Sequence, residues 1–244
     1  KIFLKKKIVI IEDAAHALGS KYQDGSMVGN CKYSDMTVFS FHPVKSITTG
    51  EGGVITTNNT KIYNRLKLLR SHGIEKKSNY IKFKKNVSPW YYEMQSLGFH
   101  YRITDIQCAL GLSQLKKVKK FILKRKKIAN YYDNFFSKFR NCKPLQLDQR
   151  NLSSNHLYIL KINFKKIKKS RSEVMNFLKK KGIGTQVHYI PISSHPFYRE
   201  KKIKFKLNNM TKYYNECLSI PIFYSLSKKQ QYYIIKTLES IIEK

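Results

Sequence analysis

Acidic residues are scarce in this sequence, and cysteines are few and scattered. Its 244 residues carry 15 Asp and Glu against 48 Lys and Arg, a formal net charge of +33. The four cysteines, Cys31, Cys108, Cys142 and Cys217, form no CxxC pair. A zinc site or a disulfide framework is therefore not indicated, and a reducing cytoplasm is the simplest setting. No apolar run approaches membrane-spanning length, and no secretory pattern is visible, so no membrane partner is expected. Internal repeats are missing, as are helix-turn-helix, zinc-finger and RRM patterns. Charge alone would suggest nucleic acid or another polyanion. The excess is mostly Lys, however, dispersed among many Ile, Asn, Tyr and Phe, as an A- and T-rich genome produces. The basic runs at 116–127 and 165–169 read as solvated faces, and no nucleic-acid partner is expected.

What is present is a chain 41% hydrophobic and 13% aromatic, sufficient for one large domain or two small ones. Two stretches concentrate its chemistry. Residues 8–20, IVIIEDAAHALGS, begin with an apolar run that reads as a buried parallel strand and continue to Asp13 and His16. Residues 33–57, YSDMTVFSFHPVKSITTGEGGVITT, supply Ser40 and, five residues later, Lys45. Ligands of open α/β sheets gather beyond the carboxyl ends of strands. A lysine amine forms a Schiff base with an aldehyde cofactor, and a carboxylate opposite a pyridine nitrogen keeps that nitrogen protonated. Ser40 is placed to meet a phosphate, and the Gly-rich run 48–53 is able to wrap backbone around a ligand. Acid, imidazole, hydroxyl and amine together point to pyridoxal phosphate. Taken singly, each residue has a plainer reading: a loop lysine is usually solvated, and an Asp after a strand is often a helix cap.

EDAAHALGS followed by FSFHPVKSITTGEGG resembles the signature of the DegT/DnrJ/EryC1/StrS sugar aminotransferases. PWYYEMQSLGFHYRITDIQCALGLSQL at 89–115 and GIGTQVHYIPISSHPFYR at 182–199 are similar to the branch that serves pseudaminic acid biosynthesis. The resemblance implies a pyridoxal-phosphate fold-type I α/β chain acting on a UDP-linked 4-keto-6-deoxy sugar, with glutamate as amino donor. It implies that Lys45 is the covalent attachment point and proton shuttle. Asp13 would pair with the pyridinium nitrogen, His16 would lie near the phenolic oxygen, and Ser40 would touch the phosphate. It also implies a homodimer with shared active sites. One departure stands out: the family usually has Asn in GFNYR, reaching the neighbouring subunit's phosphate, where this chain has His100 in GFHYR. Histidine is larger but still donates a hydrogen bond. Tyr92, His188 and Tyr189 would lie at the substrate end, although Tyr91 and Tyr92 read equally as loop-packing aromatics and His188 as a satisfied strand histidine. Arg199 reads as an anion contact or a surface residue.

The resemblance divides the chain into the C-terminal part of a cofactor-binding large domain at 1–103, a bridging helix region at 104–140 and a small α/β domain at 141–244. It also implies a preceding large-domain portion. The sequence as written reads as a fragment or as the remnant of a broken gene, and a catalytically incomplete or regulatory role is the alternative to activity. Strands are expected at 8–11, 35–41 and 54–57, with a helix at 61–71 stopped by Gly73. Thr104 should cap one long helix reaching about 139, with Ile106, Leu110, Leu112, Leu115 and Val118 at helical spacing. Residues 142–155 read as a polar linker. A strand at 156–164, a helix capped by Ser170, a strand at 185–190 and helices at 210–218 and 227–242 complete the expectation.

Overall fold

In the computed structural model, strand pairing begins where the apolar run of residues 8–11 ends. The structure describes residues 8–76, 81, 88–145, 150–201 and 207–243, and these fall into two units, 1–118 and 119–244. In the first unit, β1 (Ile11–Asp13) runs parallel to β2 (Met36–Ser40), and β2 pairs antiparallel with β3 (Gly53–Thr56). Side chains alternate across a strand. Glu12, Thr37 and Phe39 therefore share one face, where Thr37 and Phe39 are buried. Ile11, Asp13, Val38 and Ser40 share the other. The expected burial of the run does not hold: Ile8, Val9 and Ile11 are 47%, 57% and 60% exposed. β1 pairs with β2 alone among the described strands, and no described element covers Ile11.

α1 (Thr60–Arg70) is capped by Asn59, whose side chain accepts from the Lys61 and Ile62 amides. Ile62, Leu66 and Leu69 are among its less exposed residues, as expected, and Leu68 joins them. The helix stops at Ser71, and Gly73 N–H donates to Leu68 O. Phe99 and Tyr101 donate their amides to Leu69 O and Arg70 O, satisfying carbonyls that a helix end leaves without partners. A short ladder joins β4 (Ile74–Glu75) to β5 (Glu93–Met94). Residues 79–94 read in the sequence as a loop rich in aromatics, and they lie partly outside the described residues.

The single long helix expected after Thr104 is two helices, α2 (Asp105–Leu115) and α3 (Val118–Phe136). The break follows from a tightened last turn, in which Lys117 N–H reaches back three residues to Gln114 O. Thr104 caps α2 as anticipated, in a reciprocal capping box with Gln107. The α2 residues at apolar spacing are nevertheless exposed, Ile106 by 84% and Leu112 by 63%.

The second unit is built on an antiparallel sheet of β6 (Cys142–Pro144), β7 (Tyr158–Ile162) and β8 (Cys217–Ile220). β7 alternates as read, burying Tyr158, Leu160 and Ile162. They pack with Tyr132 and Phe136 of α3, Val174 and Leu178 of α4 (Arg171–Lys180), and Ile235, Leu238 and Ile242 of α7 (Lys228–Ile242). Each such side chain contributes about 1.5–3 kcal/mol by leaving water. Ser170 and Ser227 cap α4 and α7 through further capping boxes.

Four expectations need correction here. The stretch 142–155 is no free linker: it opens with β6, and Arg150, Ser154 and Asn155 are buried. Residues 146–149 lie outside the described residues. The strand at 185–190 is reduced to one bridge, Gln186 to Ser219, on the edge of β8 away from β7. The helix expected over 210–218 is α6 (Asn208–Glu216), preceded by the short α5 (Pro196–Glu200), and Cys217 already belongs to β8. The basic run 116–127 is not wholly solvated: Arg125 is only 7% exposed and donates to the carbonyls of Asn155, His156 and Ile222.

Candidate active site

The parallel pairing of β1 and β2 sends both carboxyl ends to one edge of the sheet. Asp13 is in register with Val38, and Ser40 lies two residues further along β2 on the same face. Asp13 and Ser40 are thereby brought to one end and one side of the sheet. Asp13 Oδ1 accepts the Ala15 amide at 3.1 Å, and the rest of its carboxylate is exposed. His16 sits in the turn closed by Ala17 N–H to Ala14 O, three residues beyond Asp13. Ser40 Oγ accepts the His42 amide at 3.4 Å.

Lys45 belongs to the loop that leaves β2, and it is partly buried. Its amide donates to His42 O at 2.9 Å, closing a turn. The loop is tied at its base: Phe41 N–H donates to Gly52 O, Thr49 N–H to Phe41 O, and Thr49 Oγ1 to Glu51 O. Thr49 is buried, and a Cβ at Gly52 would stand 2.5 Å from its Oγ1. Gly52 also holds φ of 145°, so no other residue fits without moving the loop. α2 touches the same loop, with Gln107 Nε2 donating to Glu51 O at 3.0 Å.

Behind this edge, on the covered face, Glu12 accepts from Tyr22 Oη, from Ser34 Oγ at 2.8 Å and from Thr37 Oγ1 at 2.9 Å. Burial acts to raise its pKa, but the three donors outweigh it and hold the carboxyl below its ordinary value. Burial and this carboxylate together push the Tyr22 phenol up. Glu12 thus fixes the end of β1 immediately beside Asp13. Sequence reasoning missed it, as it missed Thr49 and Gln107.

His100 is held elsewhere in the same unit. It bridges to Ser71, stands edge-on to His72 at 5.2 Å and hydrogen-bonds Arg102 through Nε2 at 2.9 Å. Tyr92 is 56% exposed, while Tyr91 donates to Glu93, which raises its phenol. In the second unit, His188 Nδ1 lies 2.7 Å from Ser219 Oγ, and its carbonyl accepts from Tyr213 Oη at 2.7 Å. Tyr189 lies edge-on to His188 at 4.6 Å and is 60% exposed. Arg199 is exposed on α5.

The donor set at the sheet edge fits pyridoxal phosphate. It offers a carboxylate for a protonated ring nitrogen, a hydroxyl for a phosphate and an amine for an aldehyde. Among the described residues no group of three metal-ligating side chains occurs, and no helix is long and apolar enough to cross a membrane.

Residues 1–239 match the profile of the DegT/DnrJ/EryC1/StrS aminotransferase family. The chain belongs to this family. Members of the family use pyridoxal phosphate. The chain is 39% identical over 240 residues to a UDP-4-amino-4,6-dideoxy-N-acetyl-beta-L-altrosamine transaminase of Campylobacter jejuni, covering 98% of this chain and 60% of that protein. Helicobacter pylori PseC, an aminotransferase involved in the biosynthesis of pseudoaminic acid, superposes with a TM-score of 0.88 at 34% identity, over 99% of this chain and 62% of the other. The PLP form of the sugar aminotransferase Spr1654 from Streptococcus pneumoniae superposes with a TM-score of 0.81 at 30% identity, over 100% of this chain and 60% of that one. The chain thus spans about three fifths of the relatives it matches, and its mixed α/β architecture is that of the fold-type I transferases.

Proposed function

We propose that the protein is a pyridoxal-phosphate sugar aminotransferase that moves an amino group, supplied by glutamate, to C4 of a UDP-linked 4-keto-6-deoxy sugar. The observation that carries this reading is the placement of Asp13 and Ser40 on one face at one strand edge, with Lys45 on the loop that leaves it. Its likeness to transaminases named for a UDP-linked amino sugar supports the substrate class. The setting is the cytoplasm, and the working form is a homodimer with shared active sites.

When bound, the cofactor supplies an electron sink for the carbon that gains or loses the amino group. Lys45 Nζ anchors it and, once free, carries the migrating proton. Asp13 keeps a proton on the ring nitrogen. Ser40 donates to the phosphate, and His16 flanks the phenolic oxygen. Tyr92 contacts the acceptor sugar. His100 takes the place of the family's Asn toward the partner's phosphate, and its bond to Arg102 must open or turn for it to do so.

The test is a peptide mass map of the native polypeptide, reduced with borohydride before purification. A pyridoxyl group on Lys45 is the expected result. An unmodified Lys45 would favour the second reading, a catalytically incomplete member.

A further inference from the structure

The loop that carries Lys45 is held from outside by a helix whose residues have no place in the chemistry above. Gln107 occupies the third position of α2 and serves two partners at once. Its Oε1 accepts from the Thr104 amide at 3.0 Å, completing the capping box, while its Nε2 donates to Glu51 O at 3.0 Å. Glu51 O is also the acceptor for Thr49 Oγ1 at 2.7 Å. One turn further along α2, Gly111 is buried against Thr49, and a Cβ there would stand 3.0 Å from Thr49 Cγ2. Two residues on one helix face therefore converge on two nearby residues of the loop, Glu51 and Thr49. Thr49 in turn binds the loop's start, through its amide to Phe41 O, and Phe41 N–H closes the base on Gly52 O. Between those ties the chain passes through Lys45.

We propose that Gln107, with Gly111 beside it, is a positioning residue for Lys45, and that it acts through the Glu51 carbonyl and the buried Thr49. The loop has no regular secondary structure to hold it. A four-methylene amine swings widely if its backbone shifts. A rigid α2 turns the loop into a fixed mount, which an amine that must both anchor a cofactor and return a proton to one atom requires. The inference rests on the reading of Lys45 as the cofactor-bearing lysine.

The capping role and the positioning role separate cleanly in Gln107→Glu. Glutamate at this position keeps the capping box and suits the helix dipole, but a carboxylate cannot donate to Glu51 O. Gly111→Ala provides the second variant, since Ala favours the helix while its methyl presses on Thr49. Both are made in the full-length holoenzyme and compared with wild type by melting temperature, by amide hydrogen exchange and by the pH midpoint of the bound cofactor's visible absorption. The expected result is a melting temperature at or above wild type in both. Exchange at Phe41 and Thr49 should be about tenfold faster, and the absorption midpoint should move by about half a pH unit or more. Wild-type exchange and midpoint in both variants, or changes that appear only with a lowered melting temperature, would overturn the proposal. Absence of a borohydride-stable pyridoxyl group on Lys45 of the wild type would instead sink the reading of Lys45 itself.

Discussion

The buried ion pair of the second unit offers a prediction whose size follows from its surroundings. Arg150 and Asp133 have side chains only 9% and 14% exposed. Arg150 donates to both carboxylate oxygens, at 2.9 and 3.1 Å, and also to Leu145 O and Asn155 Oδ1. Tyr158 Oη donates to Asp133 at 2.7 Å, and the guanidinium lies 4.8 Å from the Tyr158 ring centre. Burial and this carboxylate push the Tyr158 phenol well up, so it stays a donor at any working pH. Arg150→Met leaves a buried carboxylate with one hydroxyl partner, and breaking such a pair from one side costs about 3–5 kcal/mol. Replacing the whole group with apolar residues of similar size, as Asp133→Leu, Arg150→Met and Tyr158→Phe together, removes the buried charges and leaves only the neutral acceptors Leu145 O and Asn155 Oδ1 without their donor, so it should cost less, roughly 1–3 kcal/mol. The assay is native-state hydrogen exchange at the β7 amides, which reports this unit alone. At about 1.4 kcal/mol per factor of ten, the single variant should lose roughly a hundredfold to several thousandfold of protection. A single variant within about fivefold of wild type, or a triple variant as damaged as the single, would refute the reasoning that desolvation dominates here.

Other expectations follow from the first unit and from the thiols. Lys45→Ala should abolish both amino transfer and the borohydride-trapped label; retained sugar amination would sink the assignment. Against the raising effect of burial, hydrogen bonds from Tyr22, Ser34 and Thr37 hold the Glu12 carboxyl below its ordinary value in the folded chain. Its contribution to stability is therefore full above the unfolded value and is lost as pH falls through the folded one. Glu12→Gln should flatten the acid side of the urea-midpoint profile below about pH 4.5, and an unchanged slope would count against the hydroxyl cluster. Burial pushes the Cys142 thiol up to about 12 and raises Cys217 as well. Ellman's reagent at pH 8 should label Cys31 and Cys108 in the native protein and reach the other two only on unfolding; uniform labelling of all four would contradict that burial.

Local rules were most legible where one residue acts on its near neighbours. Thr104, Ser170 and Ser227 each begin a helix through a partner three residues on, a spacing visible in the letters alone. The alternation of β7 was equally plain. β8 was hidden because Cys217, Leu218, Ser219 and Ile220 are all buried, and a short continuous run lacks the period that separates strand from helix end. The exposure of Ile11 and Ile106 depends on what lies against them, which no local pattern encodes. In the candidate site, the placement of Asp13 and Ser40 at strand ends and of Lys45 on the loop beyond was readable from the strand pattern. The hold of Gln107 on Glu51 joins residues 56 positions apart, which no local pattern in the sequence announces.

Arg125 has a consequence for how α3 can be altered by evolution or design. Packed apolar side chains tolerate sliding and small rotations, because dispersion has no direction. A buried guanidinium whose Nη1 meets carbonyls of Asn155, His156 and Ile222 does not. The helix is keyed, like a bolt in a slot, to two segments far along the chain. Its neighbours on α3 are free to drift among hydrophobic alternatives while its axial setting stays put. Methionine at 125 would keep a long stem and lose the key.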